Sequence, residues 1–392
     1  MKKKILPLVL AALLCVAAFT GCQSSELKAY SDEAAESTDP AAEASTEPVM
    51  VTDYTPVYES YPPDTVMVTV NGLDITWGDL FSWYYRDVTS VESYYGPITD
   101  WDAASAFDET QTYREYITAS ALEMEKLYRV VESHAAQEGV ELTEEDLADI
   151  EEAWENNVAS SGGTEEDYIK SLESTFLSRE RFDYLTRTSA LARALQYDKY
   201  GENGEKLSDE DVLAKANEME YMRAKHILFK TTDDEGAPLS DEEIAEKRAQ
   251  AETLLEELSA ITDYDELGKR FDELIVQYGE DPGMISYLDG YTFLPGEMVE
   301  SFETATKELE PGEISGIVES DYGLHIILRL KLGANLAVEA TGETLAYFIA
   351  QELFNTEMEN WEEAAEVVFS EEYESMDLAA LFAKAVTKEA EG

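Results

Sequence analysis

Cysteine is nearly absent from this sequence of 392 residues. It occurs twice, at Cys15 and Cys22, so the chain beyond residue 22 carries no thiol. Disulfide bonds, thiol catalysis and zinc sites built on cysteine are therefore excluded from that part of the chain. The sequence also has no Gly-rich phosphate loop, no HExxH pair and no Gly-x-Ser-x-Gly elbow. We expect neither a metal ion nor a cofactor.

Basic residues are also scarce. Lysine and arginine number 28 against 85 aspartates and glutamates, which gives a formal net charge of -57. Nucleic acid and bare anionic lipid would be repelled by such a chain, so neither is expected as a partner. No EF-hand spacing accompanies the acidic residues. The acidity is therefore interpreted as a solubilising surface.

Long apolar runs are missing as well, since none reaches the roughly 20 residues of a membrane-spanning helix. The longest, Ile5–Ala18, follows three lysines and has the form of an export signal. It ends in Phe19–Cys22, which resembles the lipobox of bacterial lipoproteins, although that pattern prefers leucine in place of Phe19. The resemblance implies that residues 1–22 are a signal peptide and that Cys22 carries the lipid, which would anchor the protein outside the cytoplasm. The alternative is an ordinary cleaved signal with an incidental cysteine.

Composition divides the rest of the chain. Residues 23–63 are rich in Ser, Thr, Glu, Ala and Pro, which is typical of a disordered tether. A β-branched run at Val66–Val70 and a turn at Asn71–Gly72 then predict a strand and a hairpin. From there to about residue 200 apolar residues recur at helical spacing, so residues 64–220 are predicted to form a helical, chaperone-like domain.

The pattern changes between residues 221 and 332, where a strand is followed by helices and then by two further strands. This order indicates a small α+β domain. Residues 333–392 again read as helices, which we expect to pack on the N-terminal domain. The predicted fold class is therefore α+β, with a small sheet domain inserted in a mostly α-helical domain.

Histidine occurs only three times. His226 lies in the first predicted strand of the sheet domain and His325 in the last, each among apolar neighbours. Because the first and last strands of a sheet can be adjacent, the two imidazoles are expected to face one another. His134 lies in a helical stretch and is expected at the surface.

Five motifs between residues 224 and 327 occur in the order seen in one family. They are Ala224–Leu228, Tyr278–Asp281, Gly296–Phe302, Leu309–Ser315 and Tyr322–Ile327. Together they resemble parvulins, which are peptidyl-prolyl cis-trans isomerases. The signal, tether and helical regions also resemble the PrsA-type foldase lipoproteins in their arrangement.

The resemblance implies roles for particular residues. His226 and His325 would be the paired imidazoles of the active site, and Asp281 would hydrogen-bond into that pair without attacking the substrate covalently. The residues that would line the substrate pocket are Met298, Phe302, Tyr322 and Leu288. The substrates implied are unfolded or partly folded exported proteins that contain X-Pro bonds.

One stretch departs from the family pattern. Residues 283–293 replace the Gly-Gly-Asp-Leu-Gly element that parvulins commonly carry, so either Met284 or Leu288 corresponds to the leucine beside the pocket. Two hypotheses follow: a catalytic isomerase that also holds clients, and a non-catalytic holdase with a degenerate parvulin domain. A solute-binding lipoprotein would need two similar α/β lobes, which the sequence does not supply.

Overall fold

The computed structural model describes residues 50–233, 235–338 and 342–389. The predicted signal peptide, Cys22 and the tether up to residue 49 lie outside the described residues. Chain contacts divide the protein into two compact units. The helical unit comprises the chain up to residue 198 and from residue 354 onward, and the sheet unit comprises Lys199–Leu353. In sequence the sheet unit thus interrupts the helical unit, and the mixed α and β composition agrees with the predicted fold class.

The helical unit begins earlier than the predicted boundary at residue 64. Strand β1 (Met50–Asp53) and helix α1 (Thr55–Tyr58) lie in the stretch assigned to the tether. Tyr54, which lies between β1 and α1, and Val57, which lies in α1, are both buried. The Tyr54 ring packs edge-on against Tyr85 with ring centroids 5.4 Å apart. Burial of these two apolar side chains offsets the entropy of ordering the segment. The prediction of a tether extending to residue 63 is therefore wrong for residues 50–63.

A hairpin and five helices continue the unit. Strands β2 (Val66–Val70) and β3 (Leu73–Thr76) pair in antiparallel fashion around Asn71 and Gly72, both of which have positive φ, as the predicted tight turn requires. The helices are α2 (Trp77–Tyr95), α3 (Tyr113–Glu138), α4 (Glu144–Ser160), α5 (Glu165–Ser174) and α6 (Arg179–Tyr200). A threonine capping box opens each of the first four, which confirms the predicted helix starts at Thr76, Thr143 and Thr164.

The sheet unit contains one four-stranded antiparallel sheet in the described part of the chain. Its elements are α7 (Asp209–Glu218), β4 (Met222–Lys230), α8 (Asp241–Ser259), α9 (Tyr264–Tyr278), α10 (Pro282–Ser286), β5 (Tyr291–Phe293), α11 (Glu300–Glu308), β6 (Ile314–Ser320) and β7 (Gly323–Arg329). The strand order is β5-β4-β7-β6. The predicted first and last strands, β4 and β7, are therefore neighbours at the centre of the sheet.

Each face of this sheet has its own apolar cluster. Because side chains alternate along a strand, Ile227 and Phe229 of β4 point to one face, where they pack with buried residues of α8 and α9. Met222 and Ala224 point to the other face and pack with Phe302 of α11. His226 has the same parity as the second set, so it lies on the face that α11 covers. We call this the histidine face.

The chain after the sheet is less helical than predicted. Helix α12 (Leu345–Ala364) is followed by β8 (Val367–Phe369), α13 (Glu371–Glu374), α14 (Leu378–Phe382) and β9 (Val386–Glu389). Strand β8 pairs with β2, and β9 pairs with β1. The prediction that residues 333–392 are helices is wrong at Val367–Phe369, because this short β-branched and aromatic run pairs with β2 at the edge of the β2–β3 hairpin. None of the described helices is long and apolar enough to cross a membrane.

Candidate active site

The two central strands bring the two predicted histidines together. In the antiparallel register His226 lies opposite Ile327, and Leu228 lies opposite His325. The imidazoles are therefore diagonal neighbours on one face, with ring centroids 5.1 Å apart and their Nδ1 atoms 2.9 Å apart. Both residues are buried, with 6% and 3% of their surface exposed. The expected approach of the two rings is thus present in the fold.

Asp281 reaches the same pair from the helix side of the site. It is the N-cap residue of α10, and its Oδ1 accepts a hydrogen bond from the backbone N–H of Gly283 at 3.0 Å. Its Oδ2 lies 2.9 Å from Nε2 of His226. This hydrogen bond is the main reason that the pKa of Asp281 falls to about 2. The carboxylate is therefore ionised at neutral pH and can only accept.

The position of Asp281 depends on the residue before it. Glu280 donates its backbone N–H to the carbonyl of Leu228 in β4 at 2.9 Å, and its carboxylate accepts from the backbone N–H of Lys230 at 2.6 Å. Lys247 of α8 contacts the same carboxylate at 2.6 Å. The segment that follows α9 is thus fastened to β4, the strand that carries His226, and this places Asp281 beside the imidazole.

Asp281, His226, His325 and Ser320 form a row of side chains linked by hydrogen bonds, and Ser320 is at the end opposite to Asp281. The Oγ of Ser320 lies 2.6 Å from Nε2 of His325 and accepts the backbone N–H of Tyr322 at 3.1 Å. Burial, together with the neighbouring His226, lowers the pKa of His325 to about 4, so this ring is neutral at pH 7.

If both imidazoles are neutral, the hydrogen bonds that link Asp281, the two histidines and Ser320 have a single possible direction. With His226 neutral, its Nε2–H donates to Asp281 and its Nδ1 accepts from the Nδ1–H of His325. Nε2 of His325 then accepts from the hydroxyl of Ser320. Every polar atom of the two imidazoles has a partner in this arrangement, and Asp281 and Ser320 at the two ends select the tautomers.

An apolar surface adjoins the imidazoles. Phe302 is 3% exposed, and its ring lies edge-on to both histidines, with centroids 5.3 Å from His226 and 5.7 Å from His325. Met298 and Phe293 belong to the same cluster on the histidine face. The predicted pocket residues Met298 and Phe302 are thus beside the histidine pair, and their role in binding proline stays a prediction.

The other two predicted pocket residues, Leu288 and Tyr322, are not part of this cluster. Leu288 packs against the apolar cluster on the opposite face of the sheet, to which Met284 also belongs. These contacts do not support a pocket role for Leu288 or Met284. Tyr322 lies in the turn between β6 and β7 with 62% of its surface exposed. Its role as a substrate contact stays a prediction.

Two residues of the site were missed by reading the sequence. Ser320 could have been found, because it precedes a two-residue turn and pairs with Gly323, which brings it near His325. Tyr291 could not, because its contact with Asp281 depends on the pairing of β5 with β4. The third histidine, His134, is half-buried in the helical unit and stacks on Trp361 with ring centroids 4.1 Å apart, so only part of its surface is exposed. No group of three or more His, Cys, Asp or Glu side chains in the described part of the chain could hold a metal ion.

The region that contains this site matches a known protein family. Residues 226–331 match the Rotamase model, the PPIC-type PPIase domain. The chain is 38% identical over 104 residues to a protein named Chaperone SurA of Bordetella avium, covering 26% of this chain and 18% of the relative. It is 46% identical over 61 residues to Foldase protein PrsA of Geobacillus kaustophilus, covering 15% and 22%.

A longer alignment reaches beyond the sheet unit. The Foldase protein PrsA of Staphylococcus aureus strain MRSA252 is 28% identical over 183 residues, which cover 45% of this chain and 50% of that protein. The chain therefore spans half or less of the length of these three relatives. The matched family model begins at His226 and includes Asp281 and His325. Residues 226–331 of this chain are a parvulin domain of the PPIC-type peptidyl-prolyl isomerase family.

Proposed function

We propose that this protein is a peptidyl-prolyl cis-trans isomerase that assists the folding of exported proteins outside the cytoplasmic membrane. The observation that carries the proposal is the buried pair of His226 and His325, hydrogen-bonded to Asp281 beside the apolar surface of Phe302. The family of residues 226–331 and the foldase and chaperone names of the relatives support it.

The reaction suits a site of this composition. Rotation about an X-Pro bond is opposed by roughly 20 kcal/mol because amide resonance is lost in the twisted state. No covalent bond is made or broken, so preferential binding of the twisted state is sufficient for catalysis. An apolar surface such as that of Phe302 and Met298 would hold the proline ring.

The row of hydrogen-bonded side chains would stabilise the twisted state, while the apolar surface holds the proline ring. In a twisted amide the nitrogen lone pair is no longer delocalised into the carbonyl group, so the charge distribution differs from that of the planar amide, and preorganised dipoles can favour the twisted form. His226 and His325 form such dipoles because Asp281 and Ser320 fix their tautomers. In this mechanism Asp281 orients the row and forms no bond with the substrate.

The partners proposed are unfolded or partly folded proteins with X-Pro bonds. The helical unit would hold such clients while the sheet unit acts on them. A lipid on Cys22 would keep the protein at the outer surface of the membrane, with the signal removed before Cys22 so that this residue becomes the first of the mature chain. Labelling of cells with a fatty acid analogue tests this anchor: Cys22→Ser should abolish incorporation, and undiminished labelling of that variant would exclude it.

A cis-to-trans isomerisation assay on proline-containing tetrapeptides tests the activity. The full chain should accelerate the reaction, and His226→Ala, Asp281→Ala and His325→Ala should each reduce kcat/KM while the far-UV spectrum is kept. His134→Ala, which changes the histidine outside the site, is the matched control. A folded parent chain without acceleration would exclude the isomerase and leave the non-catalytic holdase.

A further inference from the structure

The hydroxyl of Tyr291 makes a contact that neither the sequence motifs nor the predicted roles include. Tyr291 opens strand β5 and pairs with Ala224 of β4. Its Oη donates to Oδ2 of Asp281 at 3.0 Å. The same carboxylate oxygen accepts from Nε2 of His226 at 2.9 Å, while Oδ1 accepts the N–H of Gly283 at 3.0 Å.

We propose that Tyr291 is a positioning residue for the isomerase: its hydroxyl holds Oδ2 of Asp281 where it accepts from His226 and so fixes the tautomers of both histidines. This inference rests on the proposed function of the sheet unit. It assigns a role to a residue within the stretch that departs from the parvulin pattern.

Three donors are needed because the carboxylate is only partly enclosed. The side chain of Asp281 is 23% exposed, and a carboxylate with a single donor on one oxygen can turn about its Cβ–Cγ bond. The donor on Oδ1 and the two on Oδ2 together define one orientation of the carboxylate plane. Without Tyr291, Oδ2 would keep only the imidazole donor.

Tyr291 is suited to the role because it stays protonated. Burial and the adjacent negative charge of Asp281 raise the pKa of its hydroxyl well above the ordinary value for tyrosine. The hydroxyl therefore donates throughout the pH range in which a protein of this kind works. Its hydrogen bond also contributes to the low pKa of Asp281.

A glycine leaves the space that the hydroxyl occupies. A Cβ atom placed on Gly283 would lie 2.4 Å from Oη of Tyr291 but 3.6 Å from the ring carbon that bears the hydroxyl. The first distance is a clash, whereas the second is an ordinary contact. The φ of Gly283 is outside the positive range, so alanine is compatible with the backbone there. A side chain at position 283 is therefore incompatible with the hydroxyl oxygen of Tyr291 but compatible with its ring.

The first test is Tyr291→Phe in the full chain, which removes only that oxygen. Titration of the Asp281 carboxyl by NMR should show its midpoint moved upward from about 2, because one donor to the charged form is lost. The kcat/KM for a tetrapeptide should fall about tenfold, the order expected when a hydrogen bond to a charged group is removed. An unchanged Asp281 midpoint would overturn the proposal.

The second test is a double-mutant cycle that needs no turnover. Gly283→Ala should lower the hydrogen-exchange protection of β4 in the parent chain, because the added Cβ atom clashes with the hydroxyl of Tyr291. In the Tyr291→Phe background the hydroxyl is absent, so the loss of protection should be at least about threefold smaller. Equal losses in both backgrounds would contradict the contact and with it the proposed role.

The two tests separate this inference from the proposed function. A parent chain that does not accelerate isomerisation refutes the enzyme, whatever the titration shows. A catalytically active parent whose Asp281 midpoint is unchanged by Tyr291→Phe refutes the positioning role alone.

Discussion

The Nδ1 atoms of His226 and His325 lie 2.9 Å apart across two neighbouring antiparallel strands. At this distance one nitrogen must carry the proton and the other must accept it, so the tautomers of the two rings are complementary. Neither ring can choose its tautomer independently. The tautomers are selected by the two groups at the ends of the row. Asp281 only accepts, so it requires a proton on Nε2 of His226, and Ser320 bonds to Nε2 of His325.

Replacement of Asp281 by asparagine should remove that choice. The amide of Asp281→Asn can present either an oxygen or an NH₂ group to His226, so the direction of the row is no longer defined. We expect kcat/KM for a proline tetrapeptide to fall about tenfold or more, as for the loss of a charge-assisted hydrogen bond. Asp289→Asn is the matched control, because Asp289 is exposed and uses its backbone carbonyl in its contact with Arg223. Parent-like activity of Asp281→Asn would contradict the proposed orienting role.

The stability of the sheet unit should decrease in mild acid because of His325. The pKa of this imidazole is about 4 in the folded protein against 6.5 as its ordinary value, so between these pH values the unfolded chain binds the proton and the folded chain does not. Stability is therefore present above about pH 6.5 and is lost as pH falls toward 4, by up to about 3 kcal/mol.

Hydrogen exchange of the β7 amides at several pH values, corrected for the intrinsic rates, measures this change. Asp281 does not interfere, because its depressed pKa affects stability only below about pH 4. His325→Gln cannot titrate and should lose the pH slope between 4 and 6.5. A slope that persists in this variant would assign the acid sensitivity to another group.

The ring of Phe302 should matter for substrate more than for folding. Phe302→Leu keeps an apolar side chain in the cluster but removes the aromatic face next to the imidazoles. We expect a higher KM and a loss of about tenfold in kcat/KM, together with a stability loss of about 1 kcal/mol. Phe271→Leu, buried on the opposite face of the sheet, should cost similar stability and leave kcat/KM unchanged. Equal activity losses in the two variants would reduce Phe302 to a core residue.

Gly323 is required by the turn that leads into His325. Its φ is +143°, and a Cβ atom there would lie 2.1 Å from the carbonyl oxygen of Phe229. Gly323→Ala should therefore push β7 away from β4, destabilise the sheet unit by about 2 kcal/mol or more and reduce isomerase activity. The loss of stability is measured by thermal unfolding, and the displacement of β7 from β4 by hydrogen exchange of the β4 amides. Gly316→Ala in β6, where nothing lies within 4 Å of the added atom, should leave both properties near those of the parent.

Local patterns in the sequence were sufficient for much of the architecture. The caps at Thr76, Thr143 and Thr164, the turn at Asn71 and Gly72, and the strands that carry His226 and His325 are all present in the structure. These features depend on residues close to each other along the chain, whose hydrogen bonds and side-chain alternation are set by local geometry.

Other features depend on partners far away in sequence. The strand at Val367–Phe369 forms because β2 offers a free edge, and residues 50–63 are ordered because Tyr54 and Val57 find buried positions. Neither partner can be recognised from the local sequence alone. Leu288 likewise packs on the face of the sheet opposite to the histidines, a position that its local sequence does not specify.

The sequence by itself determined which chemistry is present in this protein: an acidic chain without thiols beyond residue 22, and two strand histidines with an aspartate between them. Only the tertiary structure decided how these groups act on each other. The pairing of β4 with β7 sets the distance between the imidazoles, and the pairing of β5 with β4 brings Tyr291 to Asp281. Hydrogen bonds depend steeply on distance and angle, and those are properties of the folded backbone.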